Sequence, residues 1–191
     1  MKIRTLYPWV LAATAAYLLV VALNAGAQAA EPAPAVQAVP AQSDWPKLGF
    51  LVGNWKGAGT GKPGEGASAC SFTFDLGNHV LVRKNRVDFP PKAGEKNGTV
   101  HEDLMVIYQA PGETSLRAIY WDNEGHTIRY ALSFPAADRS VVFESEPADK
   151  GPRFKLTYGI GPGGDVAVEF AIAPPGAPYQ TYTRGTMAKA K

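Results

Sequence analysis

Arg153-Phe154-Lys155-Leu156-Thr157-Tyr158-Gly159-Ile160, then Pro162-Gly163-Gly164-Asp165, then Val166-Ala167-Val168-Glu169-Phe170-Ala171-Ile172-Ala173, is the stretch that decides the fold. Phe154, Leu156, Tyr158 and Ile160 alternate with Arg153, Lys155, Thr157 and Gly159, a period of two that a half-buried strand requires. Val166, Val168, Phe170 and Ile172 alternate in the same way on the far side of a turn rich in glycine and proline. So short a connection makes the two runs antiparallel neighbours with one packed face and one wet face.

The same grammar extends outward in both directions. Strands are expected at Asn54–Thr60, Ala67–Asp75, His79–Phe89, Thr99–Gln109, Ser115–Trp121, Thr127–Phe134, Ser140–Glu146, Arg153–Ile160, Val166–Ala173 and Tyr179–Met187. Turn chemistry separates them at Leu76-Gly77-Asn78, Pro111-Gly112-Glu113 and Asp122-Asn123-Glu124-Gly125. Ahead of the first strand, Asp44-Trp45-Pro46 opens a helical turn or two that Gly53 ends. The fold class expected is all-β, an antiparallel up-and-down β-barrel of about ten strands with a short N-terminal helical turn. Closure removes exposed edges, and a ten-stranded barrel is wider than its side chains easily fill, so an internal cavity is expected. An open two-layer sandwich is the competing architecture.

The 191 residues accommodate one such domain plus a leader. Residues 1–29 read as a signal peptide: Lys2 and Arg4 precede an apolar run from Val10 to Leu23, and Ala27-Gln28-Ala29 supplies small residues for cleavage. An uncleaved anchor is the alternative. Residues 30–42 are a Pro/Ala-rich spacer without a core of its own, and 43–191 form the barrel domain. This organisation points to a periplasmic or secreted protein with no stable membrane insertion once the leader is removed. Lys2 and Arg4 leave with the leader, so the rest carries seventeen charges of each sign and lacks the positive field that nucleic-acid binding needs. The single cysteine, Cys70, excludes an intrachain disulfide framework and a cysteine-based zinc site, and its parity with Phe72 and Phe74 marks it as a small buried residue.

Leu48-Gly49-Phe50-Leu51-Val52-Gly53-Asn54-Trp55-Lys56-Gly57-Ala58-Gly59 resembles the opening of the calycin superfamily of lipocalin-like barrels. There a helical turn precedes Gly-x-Trp and the indole plugs one barrel end. The extended form Gly53-x-Trp55-x-Gly57-x-Gly59 looks most like nitrobindin-type ten-stranded barrels and loosely characterised bacterial lipocalin-like proteins. The resemblance implies a calycin-like fold and a ligand held inside. Nitrobindin-type barrels bind haem through a histidine on the last strand; Tyr179 to Met187 contains none, and Tyr182 is the nearest counterpart. No cofactor is therefore the expectation, with haem as the minor alternative.

Several residues are candidates for the inner wall. Arg83 and Asn85 share a face with His79, Leu81 and Val87; inward, Arg83 is a cavity cation able to hold a polar head group, outward it is solvated. His101 and His126 flank neighbouring hairpins and can face one mouth. Tyr108, Trp121, Tyr158 and Tyr182 supply aromatic rings with polar tips, and Trp55 the plug. No nucleophile elbow, phosphate loop or dinucleotide fingerprint occurs. A barrel with an apolar lining and few polar groups points to a non-enzymatic binder of a small hydrophobic, fatty-acid-like molecule. A haem protein is one alternative. A small enzyme using His101 with Glu102 or Asp103 is the other.

Overall fold

The computed structural model describes residues 44–136, 139–147 and 150–190; the leader and spacer expected over residues 1–42 lie outside them. A four-residue 3-10 turn, Trp45–Leu48, leads into ten strands. They are β1 (Gly53–Gly61), β2 (Gly66–Asp75), β3 (Val80–Phe89), β4 (Thr99–Gln109), β5 (Leu116–Asp122), β6 (Thr127–Ser133), β7 (Ser140–Ser145), β8 (Arg153–Ile160), β9 (Val166–Ala173) and β10 (Gln180–Lys189). Every sequential pair is antiparallel, and β10 pairs with β1 to close the barrel. The sandwich alternative is thereby set aside. Among the described residues no helix is long and apolar enough to cross a membrane.

The glycines after Trp55 make the closure possible. A Cβ on Gly57 would lie 2.3 Å from the Thr186 carbonyl oxygen, and one on Gly185 would lie 2.5 Å from that of Ala58. Only glycine admits two backbones this close, so the bare face of β1 serves the seam with β10.

One half of the lumen is packed solid. Trp55, Leu48 and Leu51 plug the end where β1 begins, each at 1% exposure or less. The indole Nε1 donates to the Leu51 carbonyl at 2.7 Å, satisfying the one polar atom of the plug. Next comes an aromatic layer. Phe72 on β2 meets Tyr158 on β8 edge-on at 5.5 Å, across the lumen, and Tyr158 meets Phe143 on β7 at 6.0 Å. In the other half the inward positions are only half-buried: Gly57, Ser68, Val87, His101, Phe154, Phe170 and Thr183. The lumen is thus a cup opening away from the plug, shallower than the internal cavity expected of ten strands. The aromatic layer fills the middle.

Candidate functional site: the polar wall of the barrel cup

Strand register brings a charged cluster onto the inner wall where the cup meets the aromatic layer. Arg83 and Asn85 point inward on β3 because they share parity with Leu81, which is fully buried. Asn85 pairs in register with Asp103 on β4, which places Arg83 diagonally one step away. The Arg83 guanidinium donates through Nη1 to Asp103 Oδ1 at 2.5 Å, and Asn85 Nδ2 donates to Oδ2 at 2.8 Å. Arg83 and Asp103 are both 7% exposed, so the solvated-arginine reading is overturned. Burial opposes the guanidinium's charge, but Asp103 beside it outweighs that cost and raises the pKa.

His101 extends the cluster toward the mouth. Its Nδ1 lies 3.0 Å from Glu124 Oε1, and its Nε2 lies 3.2 Å from the Tyr120 hydroxyl and 3.4 Å from Asp103 Oδ2. The hydrogen bond to Asp103 is the main reason its pKa rises from 6.5 to about 9, with Glu124 adding to it against the opposing effect of burial. His101 is therefore an imidazolium at neutral pH, both nitrogens donating. Tyr120 in turn donates to Asp122 Oδ2 at 3.1 Å; burial together with Asp103 and Asp122 holds its phenol in the protonated form. Asp122 also lies 2.9 Å from His126 Nδ1. Burial disfavours the Asp122 carboxylate, but hydrogen bonds from the His126 backbone and ring lower its pKa on balance. His101 and His126 thus belong to one hydrogen-bonded chain, with His126 exposed at its outer end.

A folded-state pKa above the unfolded one gives His101 a stabilising contribution that is complete below about pH 6.5. It is lost as pH rises toward about 9. The urea midpoint is accordingly expected to fall across that window, and His101→Gln to flatten the slope. A wild-type profile no steeper than that of the variant would remove the His101–Asp103 contact from the account.

Two atoms in the cluster have no partner. Arg83 Nε and the Tyr158 hydroxyl are both buried without a hydrogen bond, and the Arg83 guanidinium carbon sits 5.9 Å from the Tyr158 ring centroid. Burial, more than any neighbour, raises the pKa of the Tyr158 phenol, which stays protonated and able to donate. An unmade hydrogen bond in the interior costs about 1–3 kcal/mol. Tyr158→Phe is therefore expected to stabilise the ligand-free barrel by about 1 kcal/mol, read as a higher urea midpoint. A loss of that size would mean that the hydroxyl is satisfied.

The remaining sequence candidates separate by parity. Trp55 belongs to the plug and Tyr158 to the aromatic layer, both within the core. Tyr182 sits at the β10 irregularity between Thr181 and Thr183 and meets the Phe170 ring edge-on at 6.2 Å. Trp121 and Tyr108 do not join the cup. Trp121 aligns with Leu104 and Lys84, opposite in parity to buried Asp103 and Arg83, and is 40% exposed on the outer surface. Tyr108 is likewise of opposite parity to the buried residues Met105 and Ile107. Both strands carry apolar residues on both faces, so alternation alone did not say which face is inside. The sequence reading singled out Arg83, His101 and Tyr158 but not their neighbour Tyr120. Its parity with Leu116 and Ala118 was the available signal.

Clefts also occur outside. One of about 1230 Å³ is lined by Ala58, Ala67, Thr157, Ala167, Glu169 and Arg184, of outward parity, together with residues of inward parity such as Gly59, Val168 and Gly185. Another of about 630 Å³ runs past Lys56, Lys84, Arg86 and Trp121. Among the described residues no group of three or more His, Cys, Asp or Glu side chains is arranged to hold a metal ion. The inward face of β10 offers Thr183, Gly185 and Met187, the last packed in the core, and both ring nitrogens of inward-facing His101 are engaged. The histidine that the resemblance implies is absent from this face, and Tyr182, its counterpart, packs against the Phe170 ring at the β10 irregularity.

No family model matches the chain, and no curated protein matches it. Among solved structures the chain is similar to that of Rv2717c from M. tuberculosis, with a TM-score of 0.55. The two share 16% identity over 76% of this chain and 98% of that one. At that identity the likeness is one of fold: the described barrel is shared, and nothing about the inner wall follows from it.

Proposed function

We propose that this protein is a calycin-type binder, acting in the periplasm or after secretion, that holds a small, mainly apolar molecule in the open half of its barrel. The observation that carries the reading is the pair of unpartnered polar atoms, Arg83 Nε and the Tyr158 hydroxyl, where the polar cluster of the inner wall meets the aromatic layer. Phe154 and Phe170 stack at 6.0 Å with an interplanar angle of 7°, and with half-buried Val87 and Val168 they supply the apolar wall. A pocket with much apolar area and a few placed polar groups suits a small organic ligand. Each methylene removed from water there gains about 0.8 kcal/mol, enough for micromolar binding of a medium chain after association costs. The export expectation rests on the leader-like residues 1–29.

The test is saturable binding of Nile red, an uncharged fluorescent probe, to the full chain and to two variants. Val87→Trp fills the cup from an inward position, and Ala67→Trp fills the outer cleft. Loss of binding in Val87→Trp alone is expected. Loss in Ala67→Trp alone, or no binding by the wild type, would sink the reading.

A further inference from the structure

We propose that the head group seated in the cup is an uncharged hydrogen-bond acceptor of the carbonyl class, such as a ketone, ester or amide, held between Arg83 Nε and the Tyr158 hydroxyl. The proposal rests on the binding reading above and names the ligand chemistry that the same site selects. Arg83 commits Nη1 to Asp103 and keeps a buried Nε–H without an acceptor. Tyr158 is fully buried and its hydroxyl is also unpaired. With the guanidinium carbon 5.9 Å from the Tyr158 ring centroid, the two unpaired donors belong to one layer of the lumen. The buried Cys70 thiol also lies against Arg83, but sulfur is a weak acceptor, and what the layer lacks is a strong one. A carbonyl oxygen carries two lone pairs and can take both donors at once.

Charge decides among the acceptors. The cations at the wall are Arg83 and His101, and the anions in contact with them or with their partners are Asp103, Glu124 and Asp122. Arg83 is thus already matched, and a carboxylate head would bring a further negative charge beside Asp103 while losing its own hydration. An ammonium head would meet two cations and add donors where donors are already in excess. A ketone, ester or amide oxygen meets neither penalty.

The experiment is displacement of Nile red from the full chain at neutral pH by octane, 2-octanone and octanoate, which share a chain and differ in the head. 2-Octanone is expected to displace the probe at a concentration about tenfold below that of octane or octanoate, the return on one well-made hydrogen bond. In Tyr158→Phe, which is nearly isosteric, the ketone and the alkane are expected to converge. Arg83→Lys keeps a cation for Asp103, removes the Nε–H, and is expected to give the same convergence. Octanoate displacing more strongly than 2-octanone would overturn the proposal, as would a ketone-to-alkane ratio that both variants leave unchanged. Ketone and alkane equal in the wild type would mean that water completes the layer, and would overturn it too. Those outcomes leave the cup as a binding site. Failure of Val87→Trp to abolish probe binding removes the cup itself and the proposal with it.

Discussion

Replacing Trp55 with alanine is expected to cost the barrel about 4 kcal/mol, within the usual range for emptying a large buried aromatic site. The indole is 1% exposed, and it belongs with Leu48 and Leu51 to the fully buried set that closes the barrel end. Removing it also leaves the Leu51 carbonyl without the bond from Nε1. That orphaned acceptor adds about 1 kcal/mol to the transfer and cavity costs. Trp55→Phe keeps part of the volume and loses the bond, so its cost is expected to be about half as large. Urea midpoints order the three proteins directly. Equal midpoints for wild type and Trp55→Ala would mean that the indole does not plug the barrel.

Arg83→Met is expected to cost about 3 kcal/mol, at the lower edge of what breaking a buried ion pair costs. The substitution keeps an apolar stem but leaves the Asp103 carboxylate without its cation at 2% side-chain exposure. Asn85 and His101 still reach that carboxylate, which is why the loss sits at the lower edge. Adding Asp103→Leu to Arg83→Met is expected to recover most of the loss, because a buried pair replaced by apolar residues of similar volume is close to neutral. Chemical denaturation of the two variants gives the coupling. A single variant within about 0.5 kcal/mol of wild type would place Arg83 in solvent.

Much of this architecture is legible in the sequence. Ten strands were readable because β8 and β9 alternate cleanly and turn residues punctuate the rest. The bounds slipped by one or two residues where glycine or lysine ends a strand, as at Gly53, Gly61 and Lys189. There, backbone pairing continues past the last patterned side chain. Arg83 could be assigned a face from its step with Leu81. Its partner could not be found, because the β3–β4 register depends on the connection between Phe89 and Thr99, and no local pattern sets it. Trp121 and Tyr108 went to the wrong side of the wall because β4 and β5 alternate apolar against apolar: Leu104 and Val106 face out while Met105 and Ile107 face in. Period two says which residues share a face and is silent on which face is buried. The unpaired Tyr158 hydroxyl was beyond sequence reasoning altogether, since it follows from what the opposite wall fails to supply.

On the proposal above, a ligand oxygen completes the inner wall at Arg83. The most direct measurement is the ¹⁵N–¹H signal of the Arg83 Nε–H in the full chain, followed as 2-octanone is added to saturation. In the free protein this proton lacks an acceptor. A downfield shift that saturates with one ligand per chain and is absent with octane is expected. An Arg83 Nε–H signal that stays in place while 2-octanone fully displaces Nile red would contradict it.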